Sequence, residues 1–138
     1  NTRSEDITTA TCRENTRIKF RSAIDKLGNI TAREVICDMD SGAYAGELAV
    51  MPSVAFHVAG AVYEVGAARV TVRLIYTNTP PTGAMRGVVG VAMYSALERH
   101  MDHIARELGA DRRDYRLRHL FKDGSSLLNA KSSTTPES

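Results

Sequence analysis

The sequence predicts an α+β domain in which a small mixed sheet, made of a hairpin plus one further strand, packs against one long and two shorter helices. Apolar and polar residues alternate over 18–24 and 30–39, with a turn-forming segment at 25–29, which predicts an antiparallel hairpin. A second alternation covers 70–76, and apolar residues recur at helical spacing over 88–108, so a strand and then a long amphipathic helix are expected. The expected buried stripe of that helix comprises Val89, Met93, Leu97, Met101, Ile104, Ala105 and Leu108.

The composition is that of an ordinary globular protein. The chain has 138 residues, 43% of them hydrophobic and 25% charged, which suffices for one domain with a buried core. A net charge of +2 and an aromatic content of 6% argue against nucleic acid as a partner. Cys12 and Cys37 lack the paired spacing of a zinc site, so free thiols are expected. With no apolar run of about 20 residues and a polar start, the chain is expected to be soluble and cytoplasmic, without a membrane partner.

Composition divides the chain into three parts. Residues 1–16 are polar without a sustained period and are expected to form an extended lead-in. Residues 17–121 contain all the periodic segments and are expected to form the single α+β domain. Residues 122–138 are polar and end in a stretch rich in serine and threonine, which is typical of a disordered tail.

Two shorter helices are expected on either side of the strand at 70–76. The segment 46–60 is small and apolar, and Pro52 lies where a helix's first turn tolerates proline, so a buried helix is expected from about Ser53. After Gly109 ends the long helix, Asp111 is expected to cap a short one. Its apolar side would comprise Tyr115, Leu117, Leu120 and Phe121, and its charged side Arg112, Arg113, Arg116 and Arg118. These arginines could grip nucleic acid, face an acidic partner subunit or simply face solvent.

The segment between the strand and the long helix is the principal candidate for a functional site. Pro80 and Pro81 withhold backbone donors and end the strand, and three glycines at 83, 87 and 90 permit turns and close approach. Arg86 presents a planar fork of donors beside backbone N–H groups at a helix start, which suits phosphate or another anion. The alternative is a strand-to-helix connector with an exposed arginine, because an isolated glycine-rich turn is a weak motif.

Three other groups of residues have a functional and a structural interpretation. Asp38 and Asp40 beside a glycine could begin a cation-binding loop, but a capped turn needs no further ligands. The side chains of His100, His103 and Glu107 share a helix face and could chelate a metal, or that face could be solvated. His57 fits a hydrogen-bonded histidine of an apolar helix better than a ligand. No metal site is predicted from these groups.

Four motifs in order resemble a known family. They are TRSED at 2–6, IKF at 18–20, DSGAYA at 40–45 and TNTPPTGAMRG at 77–87, the last followed by a helix ending in ELG and by the arginine-rich segment ADRRDYRLRHL. Together they resemble the molybdenum-cofactor-binding large subunit of the xanthine dehydrogenase and aldehyde oxidase family, over all but the tail after about Leu120. The chain resembles part of the molybdopterin-binding domain only.

The resemblance implies a chemistry and assigns residues to it. Members of the family hydroxylate a carbon of an aromatic heterocycle or an aldehyde, using a molybdenum centre held by a pyranopterin and passing electrons through iron–sulfur clusters to flavin. Arg86 falls on the family arginine that lies against the molybdenum–pterin head, and Gly87 on the small residue beside it. Val54 and Val88 fall on substrate-pocket positions. Since the carbon monoxide dehydrogenase branch has cysteine at the Gly87 position, and the purine-oxidising branch has arginine and an aromatic residue at those of Val54 and Val88, neither branch is favoured.

Other parts of the family's site have no counterpart in this sequence. It lacks a second glycine-rich pterin loop and the late glutamate that serves the family as general base. We therefore expect a fragment or split-off domain that contributes one cofactor loop, is inactive alone and binds no cofactor by itself. Its partners would be the remaining segments of the molybdenum subunit, and iron–sulfur and flavin subunits. The alternative is a free-standing binding or assembly module with the same fold, using the helix near residue 116 as its contact surface.

Overall fold

The computed structural model describes residues 2–44, 46–60 and 62–123. The elements are helix α1 (Arg3–Thr9), strands β1 (Thr16–Ile24) and β2 (Ile30–Gly42), a 3₁₀ turn (Gly46–Val50), helix α2 (Met51–Val58), strand β3 (Ala68–Tyr76), and helices α3 (Gly90–Glu107) and α4 (Arg112–His119). The expected tail at 122–138 lies outside the described residues from 124 onward. Among the described residues, none of the helices combines the length and the apolar content needed to cross a bilayer.

The three strands form one mixed sheet in the order β1-β2-β3. β1 pairs with β2 antiparallel, with Phe20 opposite Val35, and β2 pairs with β3 parallel, with Val35 opposite Val70. The hairpin turn is fixed by the Asp25 carboxylate, which accepts hydrogen bonds from the backbone N–H groups of Leu27 and Asn29, both at 2.8 Å. The predicted α+β fold with a small mixed sheet is therefore confirmed.

Helices cover one face of the sheet and enclose the core. Under α2 and the start of α3, the buried residues are Val35, Cys37, Met39, Met51, Ala55, Ala59, Val89 and Met93. Under the rest of α3 and α4, they are Ile30, Tyr63, Leu97, Met101, Ile104, Ala105 and Tyr115. The predicted stripe of α3 is thus buried except at Leu108, which is 46% exposed because the helix has already ended at Glu107.

The opposite face of the sheet carries charge in three columns. The outer strands contribute cations, from Arg17, Lys19 and Arg21 on β1 and from Arg69 and Arg73 on β3, whereas β2 contributes Glu34 and Asp38 between them. The register sets each carboxylate between two cations, since Asp38 lies opposite Arg17 and Arg73. Arg73 Nε lies 2.6 Å from Asp38 Oδ1. Because these five cations outnumber the two carboxylates, this face, named here the charged face, is neutralised only in part across the strands.

The lead-in differs from the extended conformation expected of it. Residues Arg3–Thr9 form α1, because the Thr2 hydroxyl accepts from the Glu5 N–H at 3.3 Å while the Glu5 carboxylate accepts from the Thr2 N–H at 2.7 Å. This reciprocal cap satisfies donors that a helix start otherwise leaves unpaired. Because α1 buries none of its side chains, local capping rather than packing accounts for this helix.

The helix expected from about Ser53 begins two residues earlier and is less buried than predicted. α2 starts at Met51 with Pro52 in its first turn, and only Met51 and Ala55 are buried within it. Val54 is 37% exposed, and His57 Nδ1 lies 2.6 Å from the Ser53 carbonyl oxygen. α2 packs against β3 and α3, and Val58 near its end is partly buried against the same core, so its exposed apolar surface is at Val54.

The charged side of α4 is not the open basic surface that was expected. Asp111 caps the helix as predicted. However, Arg116 is ion-paired with Glu98 at 2.7 Å and Asp102 at 2.6 Å, and Arg118 donates to the Leu27 carbonyl at 2.8 Å. Leu117, expected on the apolar side, is exposed, and His119 is buried instead. Two of the four arginines therefore hold α4 to the domain.

Candidate functional site

The segment at 77–89, named here the arginine loop, lies at one end of the sheet, where strands begin and end. Because β2 and β3 are parallel, their carboxyl ends meet there, and the amino end of β1 lies there too, with Thr16 opposite Met39. The lead-in also reaches this end of the sheet, since Cys12 forms a parallel bridge with Thr82. Irregular segments that follow parallel strands commonly form binding sites in this position.

Asp40, near the end of β2, fastens the start of the loop. One oxygen of its carboxylate, Oδ1, accepts from the Thr77 hydroxyl at 2.6 Å and from the Gly42 N–H at 2.9 Å. The hydrogen bond from Thr77, followed by that from the Gly42 N–H, holds the pKa of the Asp40 carboxyl below its usual range. The Asp40 carbonyl accepts from the Thr82 hydroxyl at 2.7 Å. A single residue of β2 thus binds both halves of the turn formed by Pro80 and Pro81.

The lead-in fastens the middle of the loop through close backbone contact. The Gly83 N–H donates to the Cys12 carbonyl at 3.0 Å. A Cβ at Gly83 would lie 2.6 Å from the Thr11 hydroxyl oxygen, nearer than side-chain carbons approach. Glycine at 83 is required by this contact rather than by loop flexibility.

The end of the loop carries the two residues that resemblance assigned to the cofactor. Arg86 is exposed, and its guanidinium has no hydrogen bond or ion pair within the described part of the chain. Gly87 has a φ of +79° and Val88 a φ of +44°, so the chain makes a left-handed bend immediately after Arg86. The Val88 N–H closes this bend by donating to the Met85 carbonyl at 2.6 Å. The arrangement presents an unpaired cation on a fixed backbone, which can accept an anionic group.

Apolar side chains of the arginine loop and of the adjoining strand and helix ends are exposed. They lie on the loop, on the first turns of α3 or at the adjacent end of the sheet. The exposed residues are Met85, Val91, Tyr94, Tyr76 and Tyr44. Clusters of exposed apolar residues at one edge of a domain are typical of a surface that meets other protein. Open depressions of about 480 and 510 Å³ lie elsewhere, beside His119 and beside Arg69.

The two substrate-pocket positions implied by resemblance lie on different elements. Val88 is partly buried and packs against the core cluster that contains Met51 and Ala55 of α2. Val54, in contrast, belongs to α2 and lies on the exposed side of that helix. The fold brings α2 and the end of the arginine loop onto the same core cluster, and both valines offer only aliphatic surface.

The possible metal ligands do not converge. The His100 ring stacks on Phe20 and its Nε2 lies 2.9 Å from the Ser22 hydroxyl, and burial lowers its pKa to about 4. His103 instead faces Glu107, and Asp38 pairs with Arg73 on the charged face. Within the described residues, histidines, cysteines and carboxylates form no group of three that could hold a metal ion.

Sequence reasoning missed one residue that contacts the loop. Arg13 donates from Nη1 to the Val88 carbonyl at 2.6 Å and from Nη2 to the Arg86 carbonyl at 2.7 Å. Nothing in the polar segment around Arg13 indicates this contact, because the partners lie more than 70 residues away and have no periodic relation to it. Asp40, in contrast, belongs to the DSGAYA motif.

Comparisons with known proteins agree with this architecture. The chain is 31% identical over 122 residues to a probable xanthine dehydrogenase component of Bacillus subtilis (strain 168), covering 88% of this chain and 16% of that protein. It is 33% identical over 127 residues to the nicotinate dehydrogenase large molybdopterin subunit of Eubacterium barkeri, covering 91% of this chain and 29% of that protein.

A solved structure shows the same fold. The quinoline 2-oxidoreductase from Pseudomonas putida 86 superposes with a TM-score of 0.77 at 33% identity, over 87% of this chain and 16% of that one. This chain therefore spans less than a third of each of these relatives. The model of the molybdopterin cofactor-binding domain family matches residues 1–120. The chain belongs to that family, and it has the fold found in the matching part of quinoline 2-oxidoreductase.

Proposed function

We propose that this chain contributes the arginine loop to the cofactor site of a molybdenum-dependent oxidoreductase, and that segments beyond this chain complete the site. The reaction class would be hydroxylation of a carbon of an aldehyde or an aromatic heterocycle. The observation that carries the proposal is the exposed, unpaired guanidinium of Arg86 on a loop whose backbone is fastened at Asp40, Cys12 and Arg13. A fixed cation stabilises negative charge without reorganising when the charge arrives.

The residues present fit a molybdopterin-type group at this place. Arg86 would hold anionic oxygens of the cofactor through its fork of donors, and Gly87 would allow close approach because it has no side chain. When bound, the cofactor supplies the oxidation–reduction chemistry. The residues of this chain would orient it, and the exposed apolar side chains of the loop and of the adjoining strand and helix ends would pack against the remaining segments and exclude water.

The proposed partners and compartment follow from the proposal that this chain supplies only part of the cofactor site. Iron–sulfur and flavin subunits are the proposed electron-transfer partners, and the two free thiols, Cys12 and Cys37, suit a reducing compartment such as the cytoplasm. The alternative of a free-standing module keeps only part of its proposed contact surface, because Arg116 and Arg118 bind within the domain while Arg112 stays exposed.

The experiment substitutes Arg86 in the full-length enzyme and measures molybdenum content and turnover. Loss of one charge-assisted contact costs about 1.5–3 kcal/mol, so Arg86→Ala should lower cofactor retention or turnover about 10- to 100-fold. Arg86→Lys should recover only part, because an ammonium lacks the bidentate fork. Arg112→Ala, which removes an exposed arginine of α4, is the control. Wild-type metal content and turnover in both Arg86 variants would refute the proposal.

A second experiment concerns the isolated 138-residue chain. We expect it to bind no stoichiometric molybdenum and to oxidise neither aldehydes nor heterocycles with an artificial electron acceptor. The reason is that one loop leaves most of the polar groups of a pterin unpaired and the metal open to water. Metal analysis showing about one molybdenum per chain would contradict this expectation.

A further inference from the structure

The bend after Arg86 has an unfavourable backbone conformation. Val88 is the only non-glycine residue with a positive φ among the described residues, and it is β-branched. Such a residue is sterically disfavoured in the left-handed region and persists there only where its surroundings impose that conformation. Its side chain is partly buried against the core cluster that includes Met51 and Ala55, so the strain is not relieved by turning the residue outward.

The surroundings that impose this conformation include one long-range contact. The two terminal nitrogens of Arg13 donate to the carbonyls of Arg86 and Val88, at 2.7 and 2.6 Å. These carbonyls flank Gly87, so a single planar guanidinium fixes the peptide groups before and after the bend. The fork geometry of arginine suits two acceptors held at a fixed separation, whereas lysine can serve only one well.

We propose that Arg13 is a positioning residue that clamps the left-handed bend at Gly87 and Val88 and thereby fixes where Arg86 projects. It does this from the lead-in, which also contacts the loop through the bridge between Cys12 and Thr82 and the hydrogen bond from the Gly83 N–H to the Cys12 carbonyl. The claim that this bend orients a cofactor contact rests on the proposed function. The claim that Arg13 holds the bend is independent of the proposed function, and the two claims are tested separately.

The clamp is tested with trypsin on the 138-residue chain. Trypsin cleaves after arginine, and the bond between Arg86 and Gly87 is exposed but held in a conformation that a protease cannot accept without local opening. Replacing Arg13 by glutamine removes two charge-assisted hydrogen bonds, so cleavage at Arg86 should accelerate about 10- to 100-fold. Arg13→Lys should give an intermediate rate.

Two controls show whether the effect is local. Arg17→Gln removes an arginine of the charged face close in sequence to Arg13 and should change cleavage at Arg86 less than about twofold. Within Arg13→Gln itself, cleavage at Arg99, on the exposed side of α3, should stay at its wild-type rate. An unchanged rate at Arg86, or equal acceleration at Arg86 and Arg99, would overturn the proposal.

The strained residue provides a further test. Val88→Gly relieves the steric conflict at a positive φ, so the bend should then depend less on Arg13. In that background, the acceleration caused by Arg13→Gln should fall to less than about threefold. The same acceleration in both backgrounds would show that Arg13 does not act through the bend.

The positioning role is read out in the full-length enzyme. Arg13→Gln should lower molybdenum content or turnover in the same direction as Arg86→Ala, and combining the two should add little to Arg86→Ala alone. Faster cleavage at Arg86 with wild-type molybdenum content and turnover would keep the clamp but refute its role in positioning Arg86 for the cofactor; the cofactor contact itself is tested by Arg86→Ala. A wild-type rate of cleavage at Arg86 in Arg13→Gln would refute the clamp, regardless of the molybdenum content and turnover of the full-length variant.

Discussion

The hydrogen bonds at Asp40 allow a quantitative prediction, because both of its donors meet the same oxygen. Thr77 and the Gly42 N–H bond to Oδ1 at 2.6 and 2.9 Å. Hydrogen bonds to a charged group contribute about 1.5–3 kcal/mol each. Since the site is partly open to solvent, the lower end applies, and Asp40→Ala should cost roughly 2–3 kcal/mol of unfolding free energy. Asp40→Asn keeps an oxygen for both donors and should cost only about 1 kcal/mol.

The same carboxylate gives a prediction for acid. Its pKa is lowered in the folded state, first by the Thr77 hydroxyl and then by the Gly42 N–H, so its stabilisation is complete above the unfolded pKa of about 3.9. It is lost as the pH falls through the lower folded pKa. The wild type should therefore lose this contribution below about pH 4, whereas Asp40→Asn should lack that part of the acid dependence.

The assay combines urea unfolding at pH 7 and pH 3 with hydrogen exchange of the Thr77 and Ala43 amides, whose bonds to the Gly42 and Thr79 carbonyls close the loop onto β2. Asp38→Ala is the matched control, because Asp38 lies two residues away but pairs with Arg73 on the charged face. Equal amide protection in Asp40→Ala and Asp38→Ala, or equal losses in Asp40→Ala and Asp40→Asn, would refute the reasoning.

Two further predictions concern the core. Leu97 is fully buried, so Leu97→Ala should cost about 2–5 kcal/mol, while Leu108→Ala, at a half-exposed position, should cost less than about 1 kcal/mol; equal urea midpoints would contradict this. The pKa of His100 is lowered to about 4, first by burial and then by Arg33, so lowering the pH from 7 to 5 protonates the unfolded state alone and should remove about 1 kcal/mol of stability after allowing for its partial exposure. His100→Phe should lack this pH dependence, and parallel pH profiles of wild type and variant would show that the ring does not titrate as described.

Periodicity was sufficient to predict the sheet and the long helix. The alternation that placed Val35, Cys37 and Met39 on one face of a strand holds in the structure, and so does the helical spacing of Met93, Leu97 and Met101. These patterns succeed because burial of one face is the dominant requirement on each element.

Short elements were harder to predict, because a few residues contain too little periodic information. α1 depends on a reciprocal cap between Thr2 and Glu5, a local pattern that alternation and helical spacing do not reveal. In α4, eight residues did not determine which side is buried, so His119 rather than Leu117 faces the core. The roles of its arginines are set by Glu98, Asp102 and a turn near Leu27, which only the tertiary fold brings near.

The site was predictable in composition but not in geometry. Prolines, glycines and Arg86 marked the loop, and resemblance assigned Arg86 and Gly87 to a cofactor, which stays a prediction. The left-handed conformation of Val88 and the contact with Arg13 could not be predicted, because a valine disfavours that conformation and the partners are remote in sequence.

The charged face also bears on whether the domain pairs with copies of itself. β1 and β3 form the two edges of the described sheet, and unpaired strand edges tend to recruit further strands. Here each edge strand projects arginines, and β1 projects a lysine as well, while the carboxylates that partly neutralise them lie on the central strand. A second copy approaching edge to edge would bring cation against cation across the new ladder, which disfavours pairing. The arrangement of charge that stabilises the sheet internally therefore also opposes edge-to-edge self-association.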